Sequence, residues 1–451
     1  MFWHRTTPTR RRMNRSVPLR LEGLERRWCP SCTVMVTGST LHIIGDAGNN
    51  NVAIVDNGAA GIVVTCDGVA HPAATGIRVV LVNTLAGNDT VTYSRSATGG
   101  NFTGRLNFIA NLGSGNDAFT ANFNGNKLVG TARVTFNVNG NAGDDTITFN
   151  AGTTAAGVDI ASGARLKLRA DGGSGKDNIT VAYAGLLNGN LDVKARGGDG
   201  DDTVAATIAV GTGSTGSLKA DLKGGPVEEE EGAAGSDNDT VNLTVTGPIA
   251  LGARADLRAD GGAGNDKVTV SYSGLMNGKL SVKARGGSGD DLVTGTVALA
   301  TGSTGSVKAD VKGGPAEEED NDTMMGGTDN DTVTLTVTGP IAAGARADLS
   351  ADGGAGNDKV NVSYSGVLNG KLNFNASGGN GDDVVTGTVT LGAGSNGSLK
   401  GLVSGGNGND NLTFNITGAT ANVAIDAVLD GGPGTDTCVA TANVKVKNCE
   451  H

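Results

Sequence analysis

Gly-Gly-Ala-Gly-Asn-Asp-Lys-Val-Thr-Val-Ser-Tyr, residues 261–272, contains the two signals that decide the fold. Its first half is a cluster of Gly, Asn and Asp, the residues that favour tight turns. Its second half alternates apolar and polar side chains, which is typical of a β-strand with one buried face. After a second turn at residues 274–278, Leu280, Val282 and Ala284 alternate again. The stretch therefore predicts two strands and two turns.

The turn belongs to a pattern that recurs along the chain, Gly-Gly-x-Gly-x-Asp, in which the second residue after the Asp is apolar. Looser copies end at Asp89, Asp117, Asp145, Asp239 and Asp331, and a vestige spans residues 45–50. Successive aspartates lie mostly 25 to 28 residues apart, and each turn is followed by apolar strand residues. A Gly-rich linker would not keep that position apolar, so each turn leads into a buried strand. The eight clean copies consist of Gly172, Gly173, Gly175 and Asp177; Gly197, Gly198, Gly200 and Asp202; Gly261, Gly262, Gly264 and Asp266; Gly286, Gly287, Gly289 and Asp291; Gly353, Gly354, Gly356 and Asp358; Gly378, Gly379, Gly381 and Asp383; Gly405, Gly406, Gly408 and Asp410; and Gly431, Gly432, Gly434 and Asp436.

The two longest spacings, 37 and 40 residues, each contain an acidic insertion, at 226–236 and 315–328. Without the insertions the common period returns, so they lengthen a turn and leave the strands intact. Runs of acidic residues are typical of solvated loops. Because the insertions interrupt the motifs that end at Asp239 and Asp331, we expect the binding sites at these two motifs to be the least intact.

Two strands with one apolar face cannot bury themselves, whereas stacked coils share a continuous core. The sequence therefore predicts an all-β, parallel β-solenoid with roughly 26 residues and two strands per coil. Small residues such as Ala220 and Ala255 suit a thin core, and aromatic residues are only 3% of the chain. Hairpin turns and coil turns look alike in sequence, so tandem immunoglobulin-like β-sandwiches and antiparallel meanders stay open as alternatives.

The chain divides into four predicted segments. Residues 1–35 form a basic leader, disordered or removed, and residues 36–170 form N-terminal solenoid coils. Residues 171–437 are duplicated three-coil blocks, and residues 438–451 form a capping hairpin. Residues 1–30 carry a net charge of +6, which leaves −17 for the rest.

The cysteines indicate an oxidising compartment. Cys438 and Cys449 flank an alternating run, and their spacing suits a disulfide that closes the capping hairpin. A disulfide that persists is typical of exported proteins. Cys29 and Cys32 fall in the leader, and Cys66 is expected to be a small core residue.

The recurring turn resembles the haemolysin-type RTX calcium-binding repeat. The resemblance implies calcium ions that are held by the aspartates and glycine carbonyls of the eight clean copies. Calcium takes oxygen ligands, and glycine permits the positive φ that turns carbonyls inward. RTX repeats run in direct tandem, whereas this chain has one motif per coil, so sharing of ions requires parallel, in-register stacking. Doubled carboxylates such as Asp290 and Asp291 raise the local charge, although the same residues are also simply good turn formers.

A second resemblance concerns the leader. Leu21-Glu22-Gly23-Leu24-Glu25-Arg26-Arg27 resembles the N-terminal segment of exported proteins of planctomycete bacteria, which implies export. No stretch of eighteen consecutive apolar residues occurs, so no transmembrane span is predicted. The acidic body would repel phosphates, which disfavours nucleic acid as a partner.

The sequence thus predicts a secreted or cell-surface, calcium-binding structural protein, with cell-surface glycans or other matrix proteins as further partners. A surface adhesin or matrix filament that does not require calcium is the main alternative. A carbohydrate-active β-helix enzyme is the other class. The four histidines lie outside the repeats, and Arg196, Arg254 and Arg285 recur with the repeat as surface ladders would, so no enzyme is predicted.

Overall fold

The alternating apolar residues form strands throughout the computed structural model, which describes residues 32–95, 99–123, 125–152, 157–225, 237–314 and 329–450. Most of the predicted leader and both acidic insertions lie outside the described residues. One short 3-10 helix spans Gly58–Ala60. The strands are β1 Thr33–Thr37, β2 Thr40–Ile44, β3 Asn51–Asp56, β4 Ile62–Cys66, β5 Val69–Ala70, β6 Val79–Asn83, β7 Thr90–Arg95, β8 Arg105–Ser114, β9 Ala118–Phe123, β10 Arg133–Ala142, β11 Thr146–Ala151, β12 Arg165–Ser174, β13 Asn178–Gly185, β14 Asn190–Asp199, β15 Thr203–Val210, β16 Ser217–Lys223, β17 Thr240–Thr246, β18 Arg254–Ala263, β19 Lys267–Gly274, β20 Lys279–Ser288, β21 Leu292–Leu299, β22 Ser306–Lys312, β23 Thr332–Thr338, β24 Arg346–Ala355, β25 Lys359–Gly366, β26 Lys371–Asn380, β27 Val384–Leu391, β28 Ser398–Asn407, β29 Asn411–Gly418, β30 Ala424–Asp430, β31 Thr437–Ala440 and β32 Lys445–Lys447.

The strands form two sheets of 16 strands each. From β6 onward the even-numbered strands follow one another in the first sheet, here called sheet A. The odd-numbered strands from β7 onward follow one another in the second, sheet B. The chain therefore passes from one sheet to the other and back once in every coil.

From β6 in sheet A and β7 in sheet B onward, neighbouring strands are parallel and in register. Leu166 of β12, for example, pairs with Leu191 of β14, which pairs with Leu218 of β16. Equivalent residues of successive coils thus stack at the strand spacing of ~4.8 Å. Parallel register confirms the predicted β-solenoid and excludes both sandwiches and meanders for the repeat region.

The core is a single apolar column between the two sheets. Inward residues alternate with outward ones along every long strand, as in β18, where Ala255, Leu257 and Ala259 are buried. Small side chains dominate the later coils, whereas aromatic rings gather in the early ones. Phe108 and Phe136 stack there with centroids 4.9 Å apart.

The N-terminal end is covered by antiparallel strands. β1 pairs with β2 at the edge of sheet A, and β4 pairs with β3 at the edge of sheet B. A disulfide joins Cys32 to Cys66. The solenoid therefore begins inside the segment assigned to the leader, and Cys66 is buried as expected but bonded to another cysteine. The edge strands at this end are β1 and β5, of five and two residues, and short edge strands offer little backbone for pairing with other chains.

At the C-terminal end the predicted disulfide between Cys438 and Cys449 is present. The prediction of a capping hairpin is wrong, because the two strands do not pair with each other. Instead β31 extends sheet B beside β29, and β32 extends sheet A beside β30. Residues 438–450 are thus a shortened last coil. This arrangement is favoured because each strand forms backbone hydrogen bonds with the edge of an existing sheet. An isolated two-stranded hairpin would be only marginally stable.

Each coil has two corners. The motif forms the first corner, here called the aspartate corner, where sheet A strands end and sheet B strands begin. The other corner leads back to sheet A, as at residues 275–278. Among the described residues, no helix has the length and apolar character that a membrane span requires.

Candidate metal site

The aspartate corner is shaped by its three glycines. The second and third glycines adopt positive φ, for example 113° at Gly173 and 123° at Gly175, as the sequence predicted. The first glycine is needed for a different reason. A Cβ at Gly172 would overlap Oδ2 of Asp177, so the aspartate side chain packs directly on the bare Cα.

The aspartates of successive coils form a continuous buried column, here called the inner ladder. Its thirteen members are at most 3% exposed. In each coil the aspartate backbone N–H donates to Oδ1 of the aspartate in the next coil, at 2.7 Å from Asp177 to Asp202 and 2.8 Å from Asp358 to Asp383. The members are Asp89, Asp117, Asp145, Asp177, Asp202, Asp239, Asp266, Asp291, Asp331, Asp358, Asp383, Asp410 and Asp436.

Different residues end the inner ladder. At the start, the N–H of Asn50 donates to Oδ1 of Asp89 at 2.6 Å. At the finish, the N–H of Asp436 donates to Oε2 of Glu450 at 2.7 Å. The vestige at residues 45–50 is therefore the first step of the ladder, whereas the closing role of Glu450 was not visible in the sequence because it lies outside any motif.

Only one oxygen of each inner carboxylate takes part in these bonds. Oδ2 of all thirteen aspartates is buried and has no hydrogen-bond partner among the described residues. An unpartnered buried carboxylate oxygen is costly, because the charge loses water without gaining a donor or a cation. The inner ladder thus contains one uncompensated oxygen per coil.

Burial raises the pKa of the twelve inner-ladder carboxyl groups from Asp89 to Asp410. Desolvation is the largest cause at each of them, and the neighbouring aspartates of the ladder and corner raise the pKa further, while the backbone N–H of the preceding coil lowers it. The pKa of Asp89 and Asp410 is also raised. The raised pKa is about 6 for Asp117, Asp177, Asp266 and Asp358, about 7 for Asp145, Asp202, Asp331 and Asp383, and about 8 for Asp239 and Asp291.

The residue just before each inner aspartate forms a second column, the outer ladder, which sequence reasoning did not foresee as a hydrogen-bonded element. Here the side chain accepts from the next coil, so the bond runs in the opposite direction. The N–H of Asp290 donates to Oδ1 of Asn265 at 2.9 Å, and the N–H of Asn409 donates to Oδ1 of Asp382 at 2.7 Å. These side chains are exposed. The preference for Asn or Asp at this position was the available signal.

The two interrupted turns keep the hydrogen bonds of the inner ladder. Gly224 and Gly225 precede the first insertion, and a Cβ at Gly224 would overlap Oδ2 of Asp239. The N–H of Asp202 donates a hydrogen bond to Oδ1 of Asp239 at 2.8 Å. The N–H of Asp291 donates one to Oδ1 of Asp331, also at 2.8 Å. The hydrogen bonds of both turns are thus formed, because each insertion leaves the chain after the second glycine and returns before the aspartate. Asp89, Asp117 and Asp145 of the looser copies also lie in the inner ladder.

The oxygens at the corner are of the kind that calcium prefers. The position that a Cβ would take on Gly378 lies 2.6 Å from the carbonyl oxygen of Gly405 and overlaps Oδ2 of Asp383. A carboxylate oxygen and a carbonyl oxygen thus face the same bare Cα, and both are hard donors. Calcium needs roughly six to eight such ligands. Because each coil has only one unpartnered carboxylate oxygen, an ion would have to be shared between neighbouring coils and completed by water.

Comparisons with known proteins add no relative. A scan against protein-family models, a search of curated proteins and a search of solved structures found no match for this chain.

Proposed function

We propose that the chain is an extracellular structural protein that binds calcium along the inner ladder. The observation that carries the proposal is the set of thirteen buried carboxylates with an unpartnered oxygen. Bound calcium would supply the positive charge that these carboxylates otherwise lack. The oxygens that would hold it are Oδ2 of the inner aspartates, with the first-glycine carbonyls beside them.

The choice of Asp over Asn supports this assignment. Asn would accept the same backbone hydrogen bond through its side-chain carbonyl, and it would be cheaper to bury because it is uncharged. The chain uses Asn freely in the outer ladder, as at Asn265 and Asn357. The thirteen steps of the inner ladder between Asn50 and Glu450 nevertheless all use Asp. A negatively charged residue is therefore favoured for something that Asn cannot do.

Two further features favour export and a structural role. The disulfides Cys32–Cys66 and Cys438–Cys449 suit an oxidising compartment. The solenoid is a continuous rod of stacked coils, and a cation shared between coils would tie each coil to the next. Calcium binding after export would complete folding, since a ligand that binds only the folded state stabilises it.

Calcium binding can be tested with two variants of equal charge. The first replaces Asp202, Asp291 and Asp383 of the inner ladder with Asn, and the second replaces their outer neighbours Asp201, Asp290 and Asp382 with Asn. Equilibrium dialysis of the full chain at about pH 8 should find several bound calcium ions.

The inner variant should bind fewer calcium ions, whereas the outer variant should bind as many as the wild type. Magnesium should compete poorly, because it demands small, near-octahedral sites. Absence of calcium binding, or the same loss in both variants, would refute the proposal.

A further inference from the structure

The outward face of sheet A carries charges in a regular arrangement along most of its length. Arg196 pairs in register with Asp171, Arg258 with Asp221, and Arg285 with Asp260. Ion pairs connect neighbouring coils, as between Lys194 and Asp221 at 3.8 Å. From β14 onward cations also meet in register in pairs, as Arg254 with Lys279 and Arg346 with Lys371. Arg254 and Arg346 each form an ion pair with an aspartate of their own strand, Asp256 and Asp348, at 2.7 Å. Arg196 and Arg285, which lie opposite lysines on one side, lie opposite aspartates on the other.

The first long strands of sheet A break this arrangement. Arg105 of β8 pairs in register with Arg133 of β10, which pairs with Arg165 of β12. These three residues, here called the arginine column, stack at ~4.8 Å per step. Lys167 and Arg169 lie beside them on β12. The outward positions of the three strands hold these five cations against one acid, Asp171.

The arginine column lacks internal compensation. Among the described residues, no ion pair involves Arg105, Arg133, Arg165 or Arg169, whereas Lys167 lies 3.7 Å from Asp192. Like charges placed opposite each other on a sheet are destabilising. A column that keeps three arginines stacked, on a face where other arginines are matched to aspartates, therefore calls for an external anion.

We infer that the arginine column is a binding surface for a linear acidic polysaccharide, whose carboxylate or sulfate groups the guanidinium groups bind. Arginine forms bidentate hydrogen bonds with such planar or tetrahedral oxyanions. Apart from Ile109, most of the remaining outward positions are neutral and polar, including Asn107 and Asn137, and suit the hydroxyl groups of sugars. The assignment is independent of calcium, because the column lies at the end of sheet A remote from the aspartate corner.

A polysaccharide fits better than a nucleic acid. Double-stranded DNA carries a charge every ~1.7 Å, far denser than one arginine every coil, and the acidic body of the chain would repel it. Single strands are held by bases stacked on exposed aromatic rings. Every Phe and Tyr among the described residues is buried, so sheet A offers no stacking platform. A polymer with about one charge per sugar has a spacing closer to that of the column.

The test compares two triple variants of the full chain in calcium-containing buffer. Arg105, Arg133 and Arg165 are replaced by Gln in the first, and Arg196, Arg258 and Arg285 are replaced by Gln in the second. Both lose three arginines from the same face, but only the second set faces aspartates. Binding is measured to immobilised polygalacturonate, dextran sulfate and uncharged dextran, with single-stranded DNA as a further polymer.

We expect the wild type to bind polygalacturonate, dextran sulfate or both, but not uncharged dextran. Binding to polygalacturonate would identify carboxylate as the recognised group, and binding to dextran sulfate would identify sulfate. The arginine-column variant should bind about tenfold more weakly or worse. Its affinity should also fall less steeply with salt, because fewer counterions are released. The second variant should stay within about twofold of the wild type. The inference is overturned if neither acidic polymer binds more tightly than dextran, if both variants lose affinity equally, or if DNA binds most tightly.

Discussion

The inner and outer ladders occupy adjacent residues of the same turn, and both bridge coils through a side-chain oxygen and a backbone N–H. They differ in burial: Asp383 is 1% exposed, whereas its neighbour Asp382 is exposed to solvent. The outer position is Asn or Asp in most coils, as at Asn409, but Lys176 and Thr435 occupy it too and take part only through their backbone N–H groups. The inner ladder is Asp throughout its thirteen steps. The difference teaches that the hydrogen bond between coils does not by itself require an aspartate. The buried inner position requires one because its charge matters there.

The largest effect should come from filling the space under one inner carboxylate. In Gly378→Ala, the new methyl group overlaps Oδ2 of Asp383 and approaches the carbonyl oxygen of Gly405. Because backbone has to shift, the free energy of unfolding should fall by about 3 kcal/mol. Gly104→Ala is the control, since its Cβ meets nothing within 4 Å. Chemical denaturation measures both, and equal losses would contradict the packing argument.

The next effect separates the two ladders directly. Asp383→Ala leaves the buried N–H of Asp358 without its acceptor, which should cost about 2 kcal/mol. Asp382→Ala frees the N–H of Asn409 at an exposed position, where water replaces the lost acceptor, so the cost should stay below about 1 kcal/mol. Denaturant unfolding at about pH 5 tests this pair, because Asp383 is then largely protonated. A larger loss in Asp382→Ala would reverse the comparison.

A smaller, cumulative effect should appear as a pH dependence without calcium. The folded pKa of the ten inner aspartates from Asp117 to Asp383 is raised to between about 6 and about 8, above the unfolded value of ~3.9. A raised folded pKa means that the folded chain binds protons more tightly than the unfolded chain. The stabilisation is full below about pH 4 and is lost as the pH rises through about 6 to 8.

The measurement is the free energy of unfolding in EDTA from about pH 5 to about pH 8, and it should fall across that range. The outer variant of Asp201, Asp290 and Asp382 should keep the slope. The inner variant of Asp202, Asp291 and Asp383 should reduce it. A flat profile in the wild type would mean that the inner carboxylates find compensation in the folded chain.

The sequence predicts much of the fold because each signal is local and repeated. A period of two after a Gly-Asn-Asp cluster, as in residues 261–272, specifies a strand and a turn in every coil. Parallel stacking was harder to predict, because pairing between coils is not local and meanders share the same pattern. The last coil shows the limit: the pattern from Cys438 to Cys449 fits a hairpin as well as two strands on separate sheets.

The residues that meet at the aspartate corner could be predicted from the sequence, but their hydrogen-bonded organisation could not. The glycines and aspartates of the motif do lie together at one corner. Which oxygen of each aspartate is bonded depends on the register between coils, and no single turn contains that information. The same holds for the arginine column, because Arg105, Arg133 and Arg165 are 28 and 32 residues apart in sequence and are brought together only by the stacking.

The most direct test of the central claim is the melting temperature of the full chain at about pH 8, measured in EDTA and in saturating calcium, with magnesium as the control. The account predicts a clear rise with calcium, because binding to the folded state stabilises it by mass action. The rise should be smaller with magnesium, smaller in the inner variant, and much smaller at about pH 5, where protons already neutralise the inner ladder. Equal melting temperatures in EDTA and calcium at about pH 8 would contradict the account, and the aspartate corners would then be turns that need no cation.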